Sequence, residues 1–352
     1  MKWQDVEGYD YTLPKELIRT VGVEPRDSAR LFVYDTETDT VTLDIFQNLA
    51  KYLPSNSLVV LNETKVLPVR LWLRKETSGK IEVFVLMNQI EDETRIPVLV
   101  DRKIVIGQKL WFPNNEILEV VDQEENIFFV KILGEFNLHE LLATYGETPV
   151  PHYLEDTEVK EDELRERYQT IFAKESVATK ASVAAPTASL HFTKQVFDSL
   201  RKKSIGQTRL TLDVGLGTFA PLTEAAFTNR KLHQEYVMVS EETALGINTA
   251  KGENHPVIAV GTTVTRTLEA LTVAGIIMPY TGPVDIFIYP PYPFQTVDIL
   301  LTNFHLPKTS LMLLVEAFLE HKGSKRTIKS LYEEAIQNKF AFYSFGDSML
   351  IL

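Results

Sequence analysis

Between positions 69 and 133 the apolar residues come in short, evenly spaced runs with almost no helical periodicity. Val69, Leu71 and Leu73 alternate with Arg70, Trp72 and Arg74, and a second run, 80–86, follows Ser78-Gly79. Further runs at 96–100, 108–112, 117–121 and 127–133 are separated by Gly107, by Pro113-Asn114-Asn115 and by Glu-rich turns. A period of two sends successive side chains to opposite faces. Short strands at such spacing predict a small antiparallel barrel or sandwich. Trp72, Trp111 and Phe84 are expected as its core aromatics, and a helix over 137–144 returns the chain to the main body.

On either side the pattern alternates strands with helices. Thr12 or Pro14 can start a short helix before Ile18. Residues 31–34 and 58–61 read as strands, the second ending in the polar cluster Asn62-Glu63-Thr64-Lys65. A helix over 193–203 precedes a strand over 209–214 that sets Leu210, Leu212 and Val214 against Thr211 and Asp213 on the other face. Residues 257–260 form a strand that turns at Gly261-Thr262-Thr263 into a helix carrying Arg266 and Glu269. Strands at 284–289 and 297–301 follow, and the second feeds Thr302-Asn303-Phe304-His305. A helix capped by Thr309 or Ser310 buries Leu311, Leu314, Val315 and Phe318 at i, i+3, i+4, i+7. The fold expected is mixed α/β: a discontinuous α/β catalytic domain, 1–68 and 149–352, interrupted by an inserted small antiparallel β-barrel domain at 69–148.

Three loops leave strand ends with ligand-binding chemistry. Gly215, Gly217, Thr218 and Phe219 offer backbone N–H groups and an aromatic face. Gly261, Thr262 and Thr263 open a helix, whose N–H groups and dipole favour a carboxylate or phosphate. Asn303 and His305 add an amide and an imidazole. None of these loops is a Walker A motif or a full dinucleotide fingerprint; a nucleoside with an anionic tail suits the set. His191 ends the small-residue segment 181–191, and His233 has Glu235 two residues on, on one face of a strand as a usable acid–base pair. A Ser182/His191/Asp213 triad lacks a Gly-x-Ser-x-Gly elbow, and His-x-Glu alone is too little for a metal.

The 352 residues suffice for about two domains. No apolar run reaches the ~20 residues a membrane span needs, and the first residues lack a signal-peptide pattern, so a cytoplasmic location is expected. Without cysteine there is no disulfide, thiolate metal site or cysteine nucleophile. A net charge of −12 argues against coating nucleic acid by charge alone, though it permits reading a folded RNA through a local basic patch.

Nearly end to end, these motifs resemble those of the S-adenosylmethionine:tRNA ribosyltransferase-isomerases of queuosine biosynthesis. The resemblance rests on residues 62–68 (Asn-Glu-Thr-Lys-Val-Leu-Pro), 166–170 (Glu-Arg-Tyr-Gln-Thr), 182–188 (Ser-Val-Ala-Ala-Pro-Thr-Ala) and 214–219 (Val-Gly-Leu-Gly-Thr-Phe). It continues through 233–235 (His-Gln-Glu), 259–263 (Ala-Val-Gly-Thr-Thr), 301–307 (Leu-Thr-Asn-Phe-His-Leu-Pro) and 343–347 (Tyr-Ser-Phe-Gly-Asp). The resemblance implies transfer and isomerisation of the ribosyl group of S-adenosylmethionine onto 7-aminomethyl-7-deazaguanine in a tRNA anticodon. Epoxyqueuosine, adenine and methionine would be the products, with S-adenosylmethionine a co-substrate and no cofactor or metal. His191, His233, Glu235 and His305 are then catalytic candidates. Thr187, Asp213, Gly215, Gly217, Thr218, Phe219, Gly261, Thr262, Thr263, Arg266, Asp285 and Asn303 become candidates for binding S-adenosylmethionine or the base. Arg167 and Lys174 are candidates for the RNA, and a monomer without membrane contact is the starting expectation. The chain departs from the family pattern at Ala181, Ser189, Asp213 and Pro291 and in a longer 175–180 loop. A diverged S-adenosylmethionine- or RNA-binding relative with altered acceptor or no turnover is the other class open at this point.

Overall fold

The computed structural model describes residues 1–90, 92–151, 159–174, 182–215 and 222–352. The chain opens with short 3-10 turns, then β1 (Arg30–Asp35), β2 (Thr40–Ile45), α1 (Leu49–Tyr52) and β3 (Leu58–Asn62). Six strands follow: β4 (Arg70–Lys75), β5 (Lys80–Val85), β6 (Ile96–Val100), β7 (Lys109–Trp111), β8 (Ile117–Glu124) and β9 (Ile127–Leu133). Helices α2 (Leu138–Tyr145), α3 (Glu161–Arg167) and α4 (Lys194–Lys202) lead to β10 (Gly206–Asp213), α5 (Glu224–Asn229), β11 (Lys231–Val239) and α6 (Glu241–Gly252). Next come β12 (Val257–Val260), α7 (Thr262–Leu271), the hairpin β13 (Thr272–Val273) and β14 (Ile276–Ile277), and β15 (Tyr280–Ile286). The chain closes with β16 (Ile299–Asn303), α8 (Ser310–His321), α9 (Ile328–Gln337) and β17 (Ser348–Ile351).

Among the described residues nine strands make one sheet, in the order β15-β11-β10-β3-β12-β16-β17-β1-β2. Its centre, β10-β3-β12-β16, is parallel throughout. Central parallel strands are buried on both faces, which is why they read as continuous apolar runs. Val60, Leu210, Leu212, Ala259 and Leu300 pack on one face under α6, α7, α8 and α9. Val59, Leu61, Ile258, Val260, Ile299 and Leu301 pack on the other against α1 and α4. The result is a three-layer α/β body.

Strands β4 to β9 pair with one another antiparallel, and β7 returns to β4 to close a six-stranded ring. Leu71, Leu73, Ile81, Val83, Val98, Leu110, Leu118 and Val130 fill its inside. Two of the aromatics expected inside prove to lie outside. Trp72 sits between inward Leu71 and Leu73, and Trp111 beside inward Leu110, so the period of two turns both indoles outward, where they are partly exposed. Phe84 is partly buried at the margin of the core. The ring joins the body where Arg70 and Glu147 exchange backbone hydrogen bonds of 3.3 and 2.7 Å. Strand β15 begins and ends earlier than the 284–289 run suggests, and β16 runs two residues past position 301.

Candidate active site

The parallel strands β10, β3, β12 and β16 end side by side, and in open α/β sheets the crevice outside such carboxyl ends takes the ligand. The pairing Asn303↔Ser348 carries the same edge onto the amino end of β17, and Leu31↔Ser348 carries it on to β1. In the other direction, Asp213↔Tyr236 and Lys231↔Ile286 extend it along β11 and β15.

Where the β3–β10 ladder stops, Asn62 takes over from backbone. Its Nδ2 donates to Leu212 O at 2.9 Å and its Oδ1 accepts from Leu212 N at 3.0 Å. Thr64 Oγ1 then donates to Asp213 Oδ1 at 2.7 Å, fixing a carboxylate that is only 2% exposed. Ser182 Oγ accepts from Val214 N at 3.0 Å and donates to Ala184 O at 2.7 Å. Its hydroxyl therefore clamps the 182–184 segment onto the end of β10. Gly215 is buried beside it, whereas Gly217, Thr218 and Phe219 lie outside the described residues, as do Ala181 and the 175–180 loop.

One strand further along, Gly261 precedes α7 with φ +90°, in a region that glycine occupies without a Cβ penalty. Its N–H donates to Leu301 O at 2.7 Å. A Cβ added there would stand 3.5 Å from Ala188 Cβ, so the Thr187–Ser189 turn packs directly on this helix start. Thr187 Oγ1 donates to Asn303 Oδ1 at 2.8 Å. Asn303 is 3% exposed and its Nδ2 has no hydrogen-bond partner among the described residues. A buried amide donor left unmatched is costly, and this one sits at a strand end beside the first turn of α7, where Thr262 is buried and Thr263 partly so.

Arg266, on the second turn of α7, forms an ion pair with Glu235 in which both side chains are buried. The acid–base pair expected from His233 and Glu235 is thereby separated. The β11–β15 register shifts between Lys231 and Glu235, the strict alternation fails there, and His233 ends exposed while Glu235 turns inward to Arg266. Asp285 pairs at the surface with Lys231 at 2.6 Å. Glu269, deeper on α7, accepts from the backbone N–H groups of Gln295, Thr296 and Val297 at 2.9, 3.0 and 3.0 Å and holds that loop.

The two remaining histidines are both desolvated. His191 is 3% exposed, packs its ring against Phe46, and has an Nε2 with no partner among the described residues. Burial pulls its pKa down to about 4 against the opposing pull of Asp347 and of hydrogen bonding to the backbone carbonyls of Arg26 and Gly346. It lines a narrow cleft with Gly22, Val23, Glu24, Arg26, Arg167, Leu190 and Phe345. His305 Nε2 is bonded to Thr302 Oγ1 at 2.9 Å, its N–H donates to Tyr332 Oη at 3.0 Å, and its carbonyl accepts from Tyr11. Burial lowers its pKa to about 3. His191 therefore keeps a buried Nε2 without a partner among the described residues, and His305 has its Nε2 occupied.

Arg167 bonds Gly22 O at 3.3 Å and pairs with Glu163 at 2.7 Å; Lys174 is exposed, its N–H donating to Glu63 O at 2.8 Å. Sequence reasoning gave no role to Asp347, Arg19, Tyr11 or Tyr332. Asp347 is fully buried and accepts from Arg30 N, Ala341 N and the Arg19 guanidinium at 3.0, 2.8 and 3.1 Å. Its signal was the 343–347 motif, whose Gly346 leaves no room for a Cβ, 2.5 Å from the Phe342 carbonyl carbon.

A three-layer α/β protein whose polar groups converge on the carboxyl edge of a parallel sheet is the class these features define. Within that class the chain belongs to the queuosine biosynthesis protein family, whose model matches residues 6–351. An S-adenosylmethionine:tRNA ribosyltransferase-isomerase of Caldanaerobacter subterraneus subsp. tengcongensis is 40% identical over 346 residues, 97% of this chain and 98% of the relative. One of the same name from Staphylococcus haemolyticus is 38% identical over 354 residues, 99% of this chain and 100% of the relative. The crystal structure of S-adenosylmethionine tRNA ribosyltransferase from Thermotoga maritima shares 29% identity and a TM-score of 0.55, covering 98% of this chain and 99% of that one.

Proposed function

We propose that this chain transfers and isomerises the ribosyl group of S-adenosylmethionine onto 7-aminomethyl-7-deazaguanine in a tRNA anticodon, forming epoxyqueuosine and releasing adenine and methionine. The observation that carries the reading is the gathering of Thr64, Asp213, Gly261, Thr262, Thr187 and Asn303 on one sheet edge, in a chain that matches the family over its whole length. S-adenosylmethionine is consumed, so it acts as a substrate and not as a resident cofactor. The chain is read as a discontinuous catalytic domain, 1–68 and 149–352, with an inserted barrel at 69–148, working in the cytoplasm. Among the described residues no helix is long and apolar enough to cross a membrane.

Each group has a physical role in this chemistry. The N–H groups at the start of α7 suit the methionine carboxylate of the substrate. Asn303 Nδ2 is a donor for a base or ribose oxygen, and the Asp213 carboxylate can face the sulfonium or the acceptor amine. The reaction requires a base for the acidic C5′ proton beside the sulfonium and an acid to assist adenine departure. We assign proton handling to His191, whose Nε2 has no partner among the described residues, in preference to His305, held by Thr302. Adenine release should be measured with tRNA carrying 7-aminomethyl-7-deazaguanine and with unmodified tRNA. The expected outcome is release with the first only, and a rate about 100-fold lower in His191→Asn, the scale of a lost general acid or base. Binding of both substrates without adenine release would overturn the assignment in favour of a binding relative.

A further inference from the structure

A protein with a net charge of −12 has to concentrate positive charge somewhere if it is to hold an RNA. Arg167, an RNA candidate suggested by sequence, does little of this, being paired with Glu163 at 2.7 Å. The six-stranded ring does it better. Arg74 lies opposite Lys80 across β4 and β5 and opposite Trp111 across β4 and β7. Lys109 precedes inward Leu110 on β7, so the same alternation turns it outward, on the face of Trp111 and Arg74.

Arg74, Lys80 and Lys109 therefore share one outer face, and none of the three is in an ion pair among the described residues. Carboxylates near this face already have partners: Glu82 with Arg70 at 3.4 Å, Glu119 with Lys131 at 2.9 Å, Asp101 with Arg102 at 3.4 Å, and Glu147 with Trp72 Nε1 at 2.8 Å. Glu119 stands opposite Lys109 across β7 and β8, and Glu76 lies in the β4–β5 turn. Two partly exposed indoles lie among the cations. Lys80 Nζ stands 4.0 Å from the Trp72 ring centroid, and Trp111 is the strand partner of Arg74. Cations that track phosphates, interleaved with aromatic faces on which bases stack, make the combination that single-stranded and looped RNA requires.

We propose that this outer face of β4, β5 and β7 is the docking surface for the phosphate backbone of the RNA substrate, charge complementarity being the argument for that occupant. The inference rests on the tRNA-modifying reading and adds to it the surface used. Ten residues separate Thr64 at the sheet edge from Arg74, a reach of at most about 35 Å. That is about ten base pairs of helical rise, so one stem–loop can touch both.

The test is the salt dependence of tRNA binding, read by fluorescence anisotropy, for wild type and for Arg74→Gln/Lys80→Gln/Lys109→Gln. A control, Lys202→Gln/Lys325→Gln/Lys329→Gln, removes the same charge elsewhere. The ring variant is expected to bind at least about tenfold more weakly at about 50 mM salt. Its slope of log affinity against log salt should be smaller by about two, three phosphate contacts having been removed. The control should match wild type, and all three proteins should melt alike. A ring variant with wild-type affinity and slope overturns this inference and leaves the proposed function standing. Wild type that binds no tRNA even at low salt overturns the proposed function, and this inference with it.

Discussion

An imidazole as buried as that of His191, with a pKa near 4, is neutral at pH 7, and the role proposed for it rests on an Nε2 that is buried without a partner among the described residues. The same burial links this residue to stability. The folded pKa lies below the ordinary 6.5, so between those values the unfolded chain binds the extra proton. Its contribution is full above about pH 6.5 and is lost as pH falls toward about 4. A fall from 6.5 to about 4 is worth about 3 kcal/mol against protonation. Chemical denaturation of wild type and of His191→Gln should therefore diverge with pH. The stability of wild type relative to the variant is expected to drop by up to about 3 kcal/mol from pH 7 to pH 4. A difference that stays constant over that range would show that the ring is not desolvated as described. Residue type made His191 and His305 visible in the sequence, but the distinction between them is a matter of contacts. Thr302 is three residues from His305 and occupies its Nε2, whereas nothing local marks the Nε2 of His191 as lacking a partner among the described residues.

At the scale of elements, α7 holds much of the site together, because Gly261, Arg266 and Glu269 each leave it toward a different strand or loop. Its start depends on a backbone geometry suited to glycine: φ +90° and ψ 155°. Gly261→Ala is expected to cost about 1–3 kcal/mol from backbone strain alone. The 3.5 Å approach to Ala188 adds only ordinary contact, so the added methyl does not itself clash. Thermal unfolding checks the stability, and calorimetry should show weaker S-adenosylmethionine binding, because the helix start and the Thr187 turn move together. Unchanged affinity in a destabilised variant would separate the helix start from the ligand. The strand–turn–helix pattern at 257–269 was legible from apolar run, glycine and threonines, and so were the six ring strands and α8. Strand β17 and the β11 register were not, since four buried residues and a shifted pairing leave no period to read.

For the whole molecule, the chain crosses between body and ring at two adjacent points. Arg70 and Glu147 are hydrogen-bonded to one another, and a Cβ on Gly146 would fall 1.9 Å from Pro68 O. Strand partners of this kind have Cα atoms about 5.5 Å apart, so two glycines can span the gap. Replacing residues 71–146 with Gly-Gly is expected to leave a body that unfolds cooperatively and still binds S-adenosylmethionine. The main core loss would be the cover over Val183, the body residue buried in the ring's cluster. Circular dichroism melts and calorimetry decide it. A body that does not fold would show that the ring is part of a single cooperative unit.

The sequence by itself determined the α/β alternation, the antiparallel strands between 69 and 133, and the loops that carry polar chemistry, because strand period, helix stripe and glycine turns are local properties. It also carried the family resemblance, since the motifs keep their order along nearly the whole chain. Tertiary structure decided which of those groups meet. The order β10-β3-β12-β16 is not the order of the chain, and it brings Thr64 to Asp213 and Thr187 to Asn303 across 149 and 116 residues. It also decided the direction of each tryptophan and the separation of His233 from Glu235. A period of two gives alternating faces but does not say which face is inside, and a register shift erases even that alternation.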